Sequence, residues 1–184
     1  MSEQAKEVSR EERFVEYLEQ LERAEDHAAL AALRRSLGKS PGEASGAHQY
    51  VLRFNPPVRE EAAYYLIGAL FALHPKTWQR EEGAKRATNL GASFAWFNRE
   101  VERESIEKRF VALLDCHADE LPEHLRHAIS LLRSKEIPVD WVQLLRDLKY
   151  WEHEDRFVQR RWARAFWGGA EEENISATQP STED

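Results

Sequence analysis

Apolar residues recur at helical spacing along most of the chain between residues 11 and 167. Phe14, Leu18 and Leu21 mark a first helix from Glu11. Leu30, Leu33 and Leu37 mark a second, capped by Asp26 and stopped by Gly38. The stretch 59–74, REEAAYYLIGALFALH, is apolar on most sides and predicts a central buried helix that ends at His74-Pro75. Leu90, Phe94, Phe97 and Val101 follow, with Gly91 and Ala95 leaving room for a close helical neighbour. Ile106, Phe110, Leu113 and Leu114 form the next stripe. Leu121, Leu125, Ile129 and Leu132 line another, with Pro122 suited to its first turn.

The densest pattern spans 137–169, which holds Trp141, Trp151, Trp162 and Trp167, four of the six tryptophans. Asp140 can cap a helix on Trp141, Leu144, Leu145 and Leu148. Asp155 or a neighbour can start another on Val158, Trp162, Ala165 and Phe166, with Gly168-Gly169 as a left-handed stop. Opposite that last stripe, Arg156, Arg160 and Arg164 lie four residues apart. The segment AHQYVLRF at 47–54 fits neither period well. No strand pair with turn chemistry stands out. The expected class is all-α: a single compact, bundle-like domain of about eight helices over 11–169, between a flexible N-terminus (1–10) and a disordered acidic tail (170–184).

Composition narrows the function. Hydrophobic residues are 42% and charged residues 32% of 184, an ordinary soluble balance with no apolar run long enough to cross a bilayer. The N-terminal stretch lacks a signal-peptide core, and the single Cys116 excludes an internal disulfide, so a cytoplasmic protein is expected. The net charge of −7 is unevenly distributed. Residues 1–26 carry −5, residues 171–184 carry −5 with no basic residue, and 27–170 hold 22 basic against 19 acidic residues. The body is therefore weakly basic, which permits local phosphate contacts.

Catalytic chemistry finds little support. His124 and His127 are three apart near Glu120 and Glu123, yet no HExxH pattern accompanies them, and surface histidines explain the spacing as well. Cys116 and His117 are adjacent on a helix and do not face each other, so Cys116 is expected to fill space at a helix end. The loop 38–46, GKSPGEASG, has glycines beside Lys39 but no P-loop signature. No catalytic, cofactor-binding or metal-ligating residue is expected. Basic residues instead recur beside the apolar stripes, where they could meet phosphates; aromatics mostly fall on core stripes, with Trp78 in its loop as the exception.

Several stretches resemble the small subunit of the type I-E CRISPR surveillance complex Cascade, the CasB family. They are ALRRSLG (32–38), YYLIGALFALHP (64–75), NLGASF (89–94), SIEKRFVALLDC (105–116), LPEHLRHAISLLRSKEIPVDWVQLLRDLKYW (121–151) and RFVQRRWARAFW (156–167), together spanning roughly 12–168. The resemblance implies an all-α, non-enzymatic protein without cofactor. It implies two copies head to tail along the belly of a ribonucleoprotein, contacting the crRNA–target region and the displaced DNA strand and stabilising the R-loop. Backbone subunits and the large subunit would adjoin it, and no membrane is involved. The basic residues available for that role are Arg34, Arg35, Arg109, Arg126, Arg133, Arg146, Lys149, Arg160 and Arg161, with Arg53 as an addition to the same face. The alternative is a protein-interaction subunit whose arginines meet acidic partner surfaces.

Overall fold

The structure, a computed structural model, describes residues 8–78, 88–101 and 104–168. The expected N-terminal residues 1–7, most of the loop 75–89 and the acidic tail lie outside the described residues. Among the described residues the class is all-α, as the periodicities predict. They form nine α-helices: α1 (Arg10–Arg23), α2 (His27–Arg34), α3 (His48–Val51), α4 (Glu61–Leu73), α5 (Leu90–Val101), α6 (Glu104–Asp115), α7 (Leu121–Ser134), α8 (Trp141–Leu148) and α9 (Phe157–Trp167). The uncertain segment resolves into the single turn α3 followed by a 3-10 turn at Leu52–Phe54. No sheet forms among these residues; one isolated bridge joins Thr77 and Val139.

The helices divide between two compact units. The first comprises Met1–Pro75 and Trp141–Lys149, hence α1–α4 and α8; the second comprises Lys76–Asp140 and Tyr150–Asp184, hence α5, α6, α7 and α9. The tryptophan-rich stretch thus contributes α8 to unit 1 and α9 to unit 2.

In unit 1, α4 is the buried centre that its uniform apolarity predicts. Tyr64, Tyr65 and all of 67–72 are buried, and α2 and α8 pack against this helix. Gly68 admits α2 closely, since a Cβ there would lie 3.1 Å from Leu33 Cδ2. Trp141 is fully buried on α8 and meets the Phe71 ring edge-on at 5.7 Å. The start of α1 is built by Ser9. Its hydroxyl accepts from the Glu12 N–H while the Glu12 carboxylate accepts from the Ser9 N–H, a reciprocal cap that satisfies two orphan donors. Asp26 caps α2 as expected, and Gly38 takes the left-handed conformation at φ 80° just beyond it.

In unit 2, α5 and α9 pack most intimately. A Cβ on Gly91 would stand 2.1 Å from the Trp162 carbonyl oxygen, so glycine is what lets the two backbones meet. Leu90, Phe94 and Phe97 of α5 are buried, as are Val158, Trp162 and Phe166 of α9. Phe110 of α6 stacks on Phe166 at 4.4 Å and lies 5.1 Å from Phe94. Leu121, Leu125, Ile129 and Leu132 bury the predicted stripe of α7.

One expectation about α9 is corrected. Arg156 does not share its basic ridge: it precedes the helix as a left-handed residue at φ 46°, and its guanidinium donates to the Leu114 carbonyl at the end of α6. Of the expected glycine stop, Gly169 lies outside the described residues and Gly168 is the C-cap. Its φ is −70°, and the lack of a side chain instead accommodates the Arg164 carbonyl oxygen, 2.5 Å from where a Cβ would sit.

Candidate nucleic-acid interface

The ten basic residues singled out by sequence fall into two groups. Six of them have partners inside their own unit. On α8 the Arg146 guanidinium donates to Ser9 Oγ at 3.0 Å and to Glu12 Oε1 at 3.1 Å. Just beyond α8, Lys149 Nζ sits 2.7 Å from Glu11 and 3.0 Å from Glu60. These pairs have electrostatic consequences. A Ser9 N–H donated to the Glu12 carboxylate, together with the Ser9 hydroxyl and Arg146, outweighs desolvation and lowers that carboxyl to about 2. Burial alone would raise the Glu11 pKa, but the Lys149 hydrogen bond and charge reverse the direction and lower it. Burial likewise opposes the Lys149 ammonium, and Glu11 and Glu60 override it, so this lysine is held more firmly protonated than a free one.

The other engaged residues have softer partners. Arg34 donates its Nε–H to the Ala72 carbonyl at 3.1 Å, close to the end of α4. Arg53 lies over the Tyr17 ring at 4.5 Å. Arg126 is 3.4 Å from Glu123 one turn back on α7. Arg161 lies 5.9 Å over the Phe157 ring.

The remaining four, Arg35, Arg109, Arg133 and Arg160, are exposed and have no ion-pair, side-chain hydrogen-bond or ring partner among the described residues. Arg35 belongs to unit 1, and the other three belong to unit 2. Each projects from just beside an apolar stripe, so the buried neighbour fixes the helix while the guanidinium reaches solvent. Arg109 follows Ile106 by three positions, Arg133 follows Leu132, and Arg160 stands two before Trp162, all buried anchors.

Between α5, α6 and α7 a groove of about 400 Å³ opens in unit 2. Phe97, Ile106 and Leu131 contribute apolar lining, with Arg109 and Lys135 supplying positive charge and Glu100 one carboxylate. Sequence reasoning passed over Lys135. Its position four after Leu131, at the end of α7, was the available signal, because such a residue lies over the same face one turn on. Exposed Arg164 also lacks a partner among the described residues.

The alternative sites are otherwise occupied. His127 pairs with Glu123 at 3.1 Å, and no group of three or more His, Cys, Asp or Glu among the described residues is placed to hold a metal ion. Cys116 is buried at the end of α6. Desolvation first, then the nearby Glu120, raises its thiol to about 11, so it is protonated at neutral pH. Trp78 does not stand alone in its loop: its ring meets Trp96 edge-on at 5.7 Å, and its backbone N–H donates to Val139. No described helix is long and apolar enough to cross a membrane.

Comparison with known proteins gives consistent matches. Residues 29–167 match the CRISPR-associated protein Cse2 family. A CRISPR-associated protein Cse2 of Thermus thermophilus is 37% identical over 168 residues, 88% of this chain and 93% of its own. Among solved structures, M. ruber CasB aligns at 36% identity with a TM-score of 0.76, covering 92% of this chain and 99% of that one. The crystal structure of a Cse2-family protein from Thermus thermophilus aligns at 36% identity and TM-score 0.71, over 86% and 97% of the two chains. A chain of a CRISPR RNA-guided surveillance complex aligns at 29% identity and TM-score 0.78, over 92% and 98%.

Proposed function

The chain belongs to the CasB/Cse2 family of non-catalytic small subunits of type I-E CRISPR Cascade complexes, and on that premise we propose that it holds nucleic-acid backbone within such a ribonucleoprotein. It contacts the crRNA–target region and the displaced DNA strand, stabilises the R-loop, and works beside backbone subunits, the large subunit and a second copy of itself. The observation that carries this reading is that Arg109, Arg133 and Arg160 in unit 2 and Arg35 in unit 1 are exposed and have no partner among the described residues. A guanidinium with no internal partner gives up no ion pair when it meets a phosphate, so the contact costs little. Such contacts set position rather than sequence preference. Arg146 and Lys149 serve mainly to tie α8 and its end to α1, and their place in phosphate binding is secondary.

The test is fluorescence anisotropy of labelled single-stranded RNA, single-stranded DNA and duplex DNA over a salt series. The expected dissociation constants are about 1–100 μM and rise steeply with salt. Replacing Arg109, Arg133 and Arg160 by Ala should flatten the log–log salt slope by roughly 0.7–0.9 for each phosphate no longer neutralised. Folding stability should stay within about 0.5 kcal/mol per substitution, because all three are surface positions. An unchanged slope and affinity in the triple variant would refute this assignment.

A second reading rests on exposed apolar residues, among them Val58 at 85% exposure and Val8 and Tyr150 at 52% each. Such residues suit a subunit whose contacts are with protein. Failure of subunit association in the triple variant, with nucleic-acid binding intact, would favour that reading.

A further inference from the structure

The α5–α6–α7 groove carries both signs of charge. Each helix supplies an apolar residue followed one turn later by a charged one: Phe97 then Glu100, Ile106 then Arg109, Leu131 then Lys135. Spacings of three or four residues place each pair on one helix face. Phe97 and Ile106 are buried, Val101 and Leu131 are half-buried, and the charged side chains are exposed. Glu100 forms no ion pair with Arg109 or Lys135, and none of the three has a charged partner among the described residues. Opposite charges that border one groove without closing on each other leave room for a ligand between them.

The charges narrow the class of ligand. A purely anionic group is drawn to Arg109 and Lys135 but repelled by Glu100, and a purely cationic group meets the reverse. The ligand that suits all three has an anion at one end and hydrogen-bond donors at the other, since a carboxylate only accepts. Its body must lie against Val101 and Leu131. A nucleotide has these parts: a phosphate, a flat base, and N–H groups on the base edge. The groove's volume of about 400 Å³ is near the small end of ligand sites, roughly 300–1,000 Å³, and suits one nucleotide rather than a run of them. Two hydroxyls complete the polar lining, Ser105 and Ser134, of which Ser134 already donates to the Leu131 carbonyl at 2.7 Å.

The carboxylate also distinguishes among bases. Guanine alone presents two adjacent donors, N1–H and the 2-amino group, on its pairing edge. Adenine and cytosine each offer one amine beside a bare ring nitrogen, whose lone pair would face the second carboxylate oxygen. Thymine and uracil offer one N–H between two carbonyls. We propose that this groove receives one unpaired nucleotide of a bound strand and prefers guanine. Glu100 accepts from the guanine edge, Arg109 and Lys135 hold the adjoining phosphate, and the base lies against Val101 and Leu131. The pairing edge has to be free, so the site takes a single strand and not a duplex. This inference rests on the functional reading above and deepens it, adding one base-selective contact to contacts that set only position.

The experiment measures fluorescence anisotropy of the full chain with labelled oligothymidine strands that carry one central guanosine, adenosine, cytidine or inosine. The guanosine strand should bind about fivefold or more tightly than the adenosine, cytidine and all-thymidine strands. Inosine, which lacks the 2-amino donor, should fall between. Glu100→Gln should bring the ratio of guanosine to all-thymidine affinity close to one. In parallel, guanosine 5′-monophosphate is titrated into the ¹⁵N-labelled chain, where amide shifts should cluster at Glu100, Val101, Ser105, Leu131 and Lys135. Affinity that does not depend on the central base overturns the nucleotide site and leaves the functional reading standing, as does a guanine preference that Glu100→Gln retains. Groove shifts with guanosine 5′-monophosphate in a chain that binds no strand uphold the site and overturn the functional reading. Neither strand binding nor groove shifts overturns both.

Discussion

In unit 1 the cations Arg34, Arg53, Arg146 and Lys149 each meet a carbonyl, a ring or a carboxylate, whereas in unit 2 Arg109, Arg133 and Arg160 extend into solvent with no partner among the described residues. The difference follows from where the chain keeps its acids. Residues 1–26 carry a net charge of −5, and α1 brings Glu11 and Glu12 to Arg146 and Lys149. Arg146 and Lys149 are thereby absorbed into holding the unit together, while Arg35 of the same unit has no partner among the described residues. In unit 2 the acids act locally, as Glu123 does with Arg126 and His127, and leave other arginines unspoken for. Proximity to an apolar stripe therefore does not tell a structural arginine from an available one; the carboxylate, carbonyl or ring that the fold brings beside it does.

The comparison can be broken most severely at Gly91. Alanine there ordinarily favours a helix over glycine by about 1 kcal/mol. Here its Cβ would meet the Trp162 carbonyl oxygen at 2.1 Å and force α5 and α9 apart. Gly91→Ala should cost about 3 kcal/mol or more, seen as a lower urea midpoint with loss of near-ultraviolet tryptophan signal. A neutral or stabilising outcome would mean that the two backbones are not in contact.

Next in size is Lys149→Ala. It leaves Glu11 half-buried without its cation and Glu60 with only the exposed Arg59 at 3.6 Å, which should cost about 2 kcal/mol in chemical denaturation. The matching change at Arg133 in unit 2 should cost less than about 0.5 kcal/mol. Equal costs at the two positions would erase the distinction between engaged and available cations.

The smallest effect is an acid transition assigned to unit 1. The Glu12 carboxyl titrates at about 2 in the fold against an ordinary value of 4.5, so the folded state binds fewer protons than the unfolded one between those values. Its contribution is complete above about pH 4.5 and is lost as the pH falls toward 2. Denaturation midpoints measured from pH 5 to pH 2.5 should fall in the wild type and fall less in Glu12→Gln. Ser9→Ala, which removes the cap itself, should cost about 1 kcal/mol at neutral pH. A Glu12→Gln profile parallel to the wild type would remove the cap from the account.

Most of the helices were legible because burial imposes a period that needs only local sequence. The stripes of α1, α6 and α7 are buried where their spacing placed them, those of α5 and α9 are buried except at Val101 and Ala165, and Gly91 signalled a close approach before its neighbour was known. The one-turn α3 was not legible, since four residues are too few to display a period. Nor was the left-handed conformation of Arg156, whose guanidinium meets a carbonyl on α6, 42 positions away in sequence.

By itself the sequence determined the all-α class, the core residues, the list of candidate cations and the likeness to the Cascade small subunits, all of which depend on local spacing or on residue identity. Only the tertiary structure decided which cations are engaged. Arg146 reaches Ser9 across 137 positions and Lys149 reaches Glu11 across 138, and no local pattern encodes a pairing at that separation. Coulomb attraction acts through space, so the fold has to bring the charges together before one can be distinguished as structural and another as available.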